Sequence, residues 1–174
     1  MEHAFQPVDV LDVSGRVIGT KLRRDINKQT DIYHGVFALI TTPQRELIMR
    51  RIPVREDLPN LYSNLYGTPM STMRRHGETA KKAVERGLSR ELFIDDIKTT
   101  LLGEKLFTLV DGHTLFASTY TAVSELPDEF STVDISLLTT MTRNKFEAML
   151  YVKPENASPS LRALWQHYNK DLAL

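Results

Sequence analysis

The chain has 174 residues, 41% of them hydrophobic and 25% charged, a composition typical of a globular domain that buries its own core. Twenty-two basic residues balance 22 acidic ones, so net charge does not favour binding to nucleic acid polymers or membrane surfaces. The absence of cysteine excludes disulfides, thiolate metal sites and cysteine nucleophiles. With no apolar leader at the start, we expect one cytoplasmic domain spanning 1–174.

The first third of the chain is predicted to form two β-hairpins. Apolar residues alternate over 8–13 and 16–20 around the turn residues Ser14-Gly15, which predicts a hairpin over 8–20. His34 opens an apolar strand that continues to Ile40, and a polar turn returns the chain into a second strand over 47–51.

Less regular segments connect these hairpins to the rest of the chain. Residues 22–28 are expected to form a short helix or a loop. Residues 53–69 hold three of the eight prolines and are expected to form an irregular connection.

The segment 77–94 has the strongest helical periodicity. Small and apolar residues recur there at the spacing of a core-facing stripe: Ala80, Ala83, Val84, Gly87 and Leu88. Glu91 falls on the same stripe. Because an isolated buried charge is strongly disfavoured, Glu91 must meet a cation, hydrogen-bond donors or a water-filled cleft.

The second half alternates strand patterns with turns before two terminal helices. Strands are predicted over 98–102, 106–110 and 114–123, with a hairpin turn at Asp111-Gly112. A loop over 126–130 and a strand over 133–138 follow. The C-terminal helices occupy about 141–172: one over 143–151, and one that begins at Ser158-Pro159, a favourable N-cap and first-turn pair.

This order of elements is typical of an α/β (α+β) fold, specifically an α/β/α sandwich around a mixed β-sheet. The helix over 77–94 is expected to pack against one face of that sheet.

The region 67–94 resembles the Nudix box of the Nudix hydrolases. That box contains Gly, five residues, Glu, seven residues, and then Arg-Glu-aliphatic-any-Glu-Glu-any-Gly-aliphatic. The matching positions in this chain are Glu78, Arg86, Leu88, Glu91 and Ile94. The hairpin over 8–20 is similar to the leading hairpin of the branch that includes isopentenyl-diphosphate isomerase, and the whole resemblance covers roughly 8–151. It implies a Nudix-type sandwich.

Four positions depart from the box. Thr72 stands at its first Gly, Gly87 at the Glu after Arg, Arg90 at the first of the paired Glu residues, and Phe93 at the last Gly. Of the three carboxylates that the box has on this helix, Glu91 alone remains. Its neighbour Arg90 is a cation that is always protonated. Two alternatives are open for Glu91: a metal ligand, or the partner of Arg90 in an ion pair.

The residues that carry the isomerase's chemistry are missing from this chain. Tyr66 and Thr68 stand where the isomerase has a cysteine and a histidine, so we do not expect isomerase activity. Residues 70–74 are extra relative to that pattern and are expected to loop out.

The Nudix resemblance implies hydrolysis of a nucleoside diphosphate linked to another group, with Mg²⁺ or Mn²⁺ as cofactor. Glu91, Glu78 and Arg86 are then the catalytic candidates: Glu91 as metal ligand, Glu78 as supporting carboxylate and second metal candidate, and Arg86 as the cation that orients them. The base is not identified by the sequence. Its candidates lie in a later loop: Glu125, Asp128 and Glu129.

Arg90 and His76 are candidates for direct contact with the phosphate of a small phosphorylated or nucleotide ligand. His76 follows Arg74-Arg75 in a basic run before the helix. The other histidines show no metal-ligand spacing and are expected to be surface or hydrogen-bonded residues.

Two further hypotheses compete with hydrolysis. One is a catalytically silent Nudix-fold module that binds a nucleotide, a phosphorylated metabolite or a protein partner, and the other is a structural partner-binding domain. A hydrolase predicts several carboxylates near Glu91, whereas a silent binder predicts that Arg90 already pairs with it. Dimers are common among Nudix proteins, so the resemblance also allows a homodimer.

Overall fold

The computed structural model describes residues 2–54, 62–126 and 137–174. Strands in these ranges join into one mixed sheet with helices on both faces, which confirms the predicted α/β/α sandwich. The strands are β1 (Pro7–Leu11), β2 (Val17–Leu22), β3 (Ile32–Thr41), β4 (Leu47–Arg51), β5 (Tyr66–Gly67), β6 (Met70–Met73), β7 (Thr100–Thr108), β8 (Thr114–Val123) and β9 (Leu138–Met141). The helices are α1 (Ala80–Leu92), α2 (Arg143–Val152) and α3 (Pro159–Tyr168).

The long strand β3 lies at the centre of the sheet. It runs parallel to β8 from Tyr33 to Thr41. Its other edge pairs in the antiparallel sense with β1, then β6, then β4. Strand β7 extends the sheet beyond β8, and β5 and β9 extend it beyond β4.

Alternating residues of β3 supply both layers of the core. Val36, Ala38 and Ile40 face α1, and they pack with buried residues of that helix such as Leu88. The intervening residues face the C-terminal helices, where Phe37 and Leu39 pack with Leu164 and Trp165. A strand buried on both faces explains the uninterrupted apolar run that the sequence shows there.

Helix α1 is shorter than the periodic segment because local backbone chemistry stops it at both ends. Thr79 is the N-cap, and its hydroxyl accepts a hydrogen bond from the Lys82 N–H at 3.2 Å. Gly77, with φ of +73°, turns the chain before that cap. Phe93 ends the helix in the left-handed region, at φ of 54°, where the Nudix box has glycine.

Two sequence predictions in this region are wrong. Residues 70–74 do not loop out, because Met70–Met73 forms β6 and pairs with Gly35–Ala38 of β3. The two strands predicted over 98–110 are one strand, β7, in which a register shift between Leu101 and Gly103 absorbs the irregular pattern.

The remaining predicted elements are placed as follows. Residues 22–28 contain a single 3₁₀ turn, Arg23–Asp25. The predicted loop over 126–130 and strand over 133–138 lie largely outside the described residues, and β9 begins at Leu138. No helix in the described ranges is long and apolar enough to span a membrane.

Candidate functional site: a cationic cleft beside helix α1

A cleft of about 1000 Å³ opens beside the C-terminal half of α1 and continues across the sheet to the start of α3. Its charged lining is mostly basic. In the described ranges, four cations and one carboxylate contribute to its wall: Arg23, Lys28, Arg50, Arg90 and Glu91. Such a cleft attracts anions, because low-dielectric walls strengthen the field of the charges that line them.

Glu91 lies in this cleft with both carboxylate oxygens already occupied. Arg90 donates a short hydrogen bond to Oε1, and the Arg50 Nη1 lies 3.5 Å from Oε2. The Ser71 N–H also donates to Oε2, at 3.4 Å. The carboxylate that the helical pattern placed on the buried stripe is therefore neutralised by two guanidinium groups, the outcome that a silent binder predicts.

Glu78 and Arg86 form a two-point ion pair at the other end of α1. The Arg86 Nε lies 2.7 Å from Glu78 Oε1 and its Nη2 lies 2.8 Å from Oε2. Arg86 also donates to the Thr72 hydroxyl and to the Met73 carbonyl, at 3.3 and 3.2 Å. The pair therefore ties α1 to β6.

The ion pair determines the ionisation of Glu78. Burial opposes ionisation, but the hydrogen bonds from Arg86 and from the Arg75 N–H, with the charges of both arginines, outweigh it and lower the pKa of Glu78. At neutral pH, Glu78 is a carboxylate committed to Arg86.

Gly87 stands where the Nudix box has its first metal-ligating glutamate, and the space beside it is filled. A Cβ atom on residue 87 would lie 2.5 Å from the Met70 Sδ and 3.0 Å from its Cγ. Met70 is fully buried against α1, so this space belongs to the hydrophobic core. The packing between α1 and β6 therefore leaves no room for a larger side chain at position 87.

The described residues do not fit a Mg²⁺ or Mn²⁺ ion at this site. Mg²⁺ prefers an octahedral set of hard oxygen ligands and a negative environment. No group of three or more His, Asp or Glu residues able to hold a metal occurs in the described ranges. Glu78 and Glu91, the two sequence-predicted ligands, are each paired with arginine instead. Of the candidate bases, Glu125 is exposed, and Asp128 and Glu129 lie outside the described residues.

The cations of the cleft are close enough to perturb one another. Burial lowers the pKa of Arg23, and the nearby charge of Arg90 lowers it further, although Arg23 stays protonated at neutral pH. The Arg90 Nη1 is buried without a hydrogen-bond partner in the described part of the chain. A buried N–H without an acceptor is costly, so Arg90 retains a donor for an anion.

His76, the other candidate for phosphate contact, lies elsewhere. Its Nδ1 is 2.6 Å from Asp9 Oδ1, and Arg74 Nη2 is 3.7 Å from Asp9 Oδ2. His76 is not among the described residues that line the cleft. Arg74 and His76, in the basic run before α1, therefore bind the loop that carries them to Asp9 of β1.

Sequence reasoning missed a second polar group at the cleft, in which Tyr62 and His113 line the wall and Asp111 contacts both of them. The Tyr62 hydroxyl donates a short hydrogen bond to Asp111, and it lies 3.3 Å from the His113 Nδ1. The sequence pattern around Asp111 predicts only a turn, and Tyr62 is about fifty residues away from it along the chain. No local pattern could have joined them.

Comparisons with known proteins agree with this architecture. A Deinococcus radiodurans protein, DR0079, superposes with a TM-score of 0.76 at 21% identity, over 92% of this chain and 98% of the other. The Nudix domain of Shewanella oneidensis NrtR, solved with ADP ribose, gives 0.57 at 12% identity, over 79% and 86%. The Caenorhabditis elegans Ap4A hydrolase gives 0.52 at 13% identity, over 82% and 99%.

These similarities define the fold. The chain has the Nudix fold, as its sequence predicted. DR0079 has itself been described as a Nudix protein. No protein-family model matches the sequence, and no curated protein matches it significantly.

Proposed function

We propose that this Nudix-fold protein binds a small phosphorylated ligand, a nucleotide or a phosphorylated metabolite, by direct contact with the arginines of its cleft. The observation that carries the proposal is the ion pair between Arg90 and Glu91, which places a cation where the Nudix box has a metal-binding carboxylate. Binding would then depend on guanidinium groups, with no bridging metal.

Charge and hydrogen bonding support direct phosphate recognition. Arg23 and Arg90 lie close enough for each to oppose the charge of the other, and an anion between them would relieve that repulsion. Guanidinium groups bind phosphate oxygens through paired N–H donors, which makes arginine the preferred cation for this purpose. The unpaired Nη1 of Arg90 supplies one such donor. Ligands of this class agree with the ADP ribose held by the NrtR Nudix domain.

Metal-dependent hydrolysis of a nucleoside diphosphate linked to another group is the second candidate. The presence of Glu78 just before α1, and of Arg86 and Glu91 within it, at their box positions favours it, as does the fold shared with the Ap4A hydrolase. Hydrolysis would require Arg90 to leave Glu91 and other carboxylates to join it. We infer catalytic roles for Glu91, Glu78 and Arg86 under this second candidate alone.

Calorimetry with two separate titrants tests the choice. Inorganic pyrophosphate without metal is expected to bind the wild type, and to bind Arg90→Ala at least about tenfold more weakly, the loss of one charge-assisted contact. Mg²⁺ or Mn²⁺ alone is expected not to bind. Metal binding that disappears in Glu91→Gln, together with unchanged pyrophosphate binding in Arg90→Ala, would favour the hydrolase instead.

The other expectations on partners remain proposals. The balanced net charge supports a protein that binds neither nucleic acid polymers nor membranes. A homodimer and a cytoplasmic location are inferred from the resemblance and the composition, and light scattering would test the former.

A further inference from the structure

Away from its arginines, the cleft is lined by another polar side chain, His113. This residue lines the cleft and is only 4% exposed. Its Nε2 is buried and has no hydrogen-bond partner in the described part of the chain. A buried ring nitrogen without a partner is uncommon in a folded protein, and here it belongs to a side chain that contributes to a binding cleft.

The neighbours of His113 determine what its Nε2 can bind. Asp111 Oδ2 lies 3.4 Å from the His113 Nδ1, and a carboxylate only accepts hydrogen bonds. The Tyr62 hydroxyl, 3.3 Å from Nδ1, gives its own proton to Asp111 and can therefore only accept from the ring. With two acceptors beside it, Nδ1 carries the ring proton, which leaves Nε2 as an acceptor in the neutral imidazole. Burial lowers the pKa of His113, so the ring is neutral at neutral pH. The missing partner is a donor, an N–H or O–H group.

The surfaces around His113 are apolar and partly aromatic. The Tyr33 ring packs edge-to-face against His113, with centroids 6.4 Å apart. Leu109 and Leu115 line the same part of the cleft, and the Phe37 ring lies over Gly35, where a Cβ atom would come within 2.8 Å of it. An apolar, partly aromatic lining with one polar acceptor suits a planar ring that carries a donor.

Tyr33 links this region to the arginines. It neighbours His113 on one side, and its phenol is close enough to the Arg23 guanidinium for the two to interact electrostatically. The two ends therefore belong to one continuous cleft, and a volume of about 1000 Å³ is ample for a ligand of nucleotide size.

We propose that His113, positioned by Asp111 and Tyr62, is the part of the cleft that binds the organic half of the ligand, a planar heteroaromatic group with an N–H or O–H donor. This inference rests on the proposed function, because it assumes that the arginines hold the phosphates. It assigns selectivity for a nucleoside phosphate over a bare phosphate chain to a residue outside α1.

Two probes with the same diphosphate test it, ADP and inorganic pyrophosphate, titrated into the full chain by calorimetry in a chelating buffer. Wild type is expected to bind ADP about fivefold or more tightly than pyrophosphate, the contribution of one added neutral hydrogen bond. His113→Asn keeps a donor near the Nδ1 position and lacks the Nε2 position, so it is expected to lose this preference. His113→Gln carries its amide near the Nε2 position and is expected to keep most of it. Pyrophosphate affinity should be the same in all three proteins.

The outcomes separate the two proposals. Equal affinity for ADP and pyrophosphate in the wild type, or an ADP preference that survives in His113→Asn, would overturn the role of His113 and leave phosphate binding intact. Failure of both probes to bind would overturn the proposed function, and this inference with it. If His113→Asn does not fold, imidazole ¹⁵N spectra of the wild type decide: one Nε2 resonance should move with ADP and none with pyrophosphate.

Discussion

The sulfur of Met70 lies 2.5 Å from the point that a Cβ atom on Gly87 would occupy. Met70 belongs to β6 and Gly87 to α1, so the two residues together set how closely the helix approaches the sheet. A glutamate at position 87 would need that same space. Room for a carboxylate at position 87 therefore depends on both residues, and accommodating one without strain requires a smaller side chain at position 70.

Gly87→Glu is accordingly expected to destabilise the protein by about 1–3 kcal/mol, the usual cost of overpacking a core. Met70→Ala alone is expected to cost about 2–5 kcal/mol through the cavity it leaves. In the double variant the two costs should not add, because the smaller residue admits the larger one. Chemical denaturation of all three proteins measures this coupling. Ser89→Glu, on the same helix, is the matched control, and simple additivity in the double variant would contradict the packing argument.

The ion pair between Glu78 and Arg86 is expected to contribute to stability in a pH-dependent way. Glu78→Gln should cost about 3 kcal/mol at pH 7, since it leaves a largely buried guanidinium without its charge partner. Because the pKa of Glu78 is lowered from its ordinary value of 4.5, this stability is present above pH 4.5 and is lost as the pH falls further.

Denaturant midpoints measured from pH 7 down to pH 3 check both statements. The matched control is Glu85→Gln, which removes an exposed carboxylate from the same helix. An equal effect at both positions would argue against the ion pair as the cause.

The periodic elements of this fold could be predicted from sequence because their patterns are local. The stripe from Ala80 to Leu88 predicts α1, and the apolar run from Val36 to Ile40 predicts β3, since each pattern depends on neighbours within two or four residues. Glu78 and Arg86 are eight residues apart, too far to be neighbours on a helix, so the expectation that Arg86 orients the box carboxylates came from the Nudix resemblance and not from their spacing.

Relationships between segments could not be predicted in this way. Met70 lies seventeen residues before Gly87, and residues 70–74 were expected to loop out because they are extra relative to the isomerase-like pattern, whereas Met70–Met73 forms β6. His113, Asp111 and Tyr62 come from a hairpin turn and a distant connection, and each has an ordinary local explanation. Their meeting depends on tertiary packing, which a single sequence does not display.

His34 is expected to make the protein sensitive to mild acid. It is buried, and its Nε2 lies 2.6 Å from the Ser118 hydroxyl, which donates to Glu104 at 2.5 Å. Burial, then the charge of Arg74, lowers the pKa of His34 from 6.5 to about 4, although Glu104 and Asp9 act in the opposite direction. The unfolded chain therefore binds a proton at a higher pH than the folded one.

The stability contributed by a neutral His34 is complete above pH 6.5 and is lost as the pH falls to about 4. The loss should reach about 3 kcal/mol, from about 1.4 kcal/mol for each unit of pKa shift. In His34→Gln, which does not titrate, the slope of unfolding free energy against pH should be smaller in this window. His167→Gln is the matched control at an exposed histidine, and a wild-type slope in His34→Gln would assign the acid sensitivity to other groups.

Anions are expected to stabilise the folded protein through Arg23. The charge of Arg90 lowers the pKa of Arg23 more than Glu91 raises it, so Arg23→Gln should leave the ligand-free protein as stable as wild type or up to about 1 kcal/mol more stable. Pyrophosphate at a hundredfold excess over its dissociation constant should stabilise the wild type by about 2.7 kcal/mol, and Arg23→Gln by less. Thermal unfolding with and without pyrophosphate measures both effects.

Arg24→Gln removes a neighbouring, more exposed cation from the same turn, and is expected to leave the pyrophosphate effect unchanged. Equal losses at both positions would mean that overall charge, and not the cleft, binds the anion.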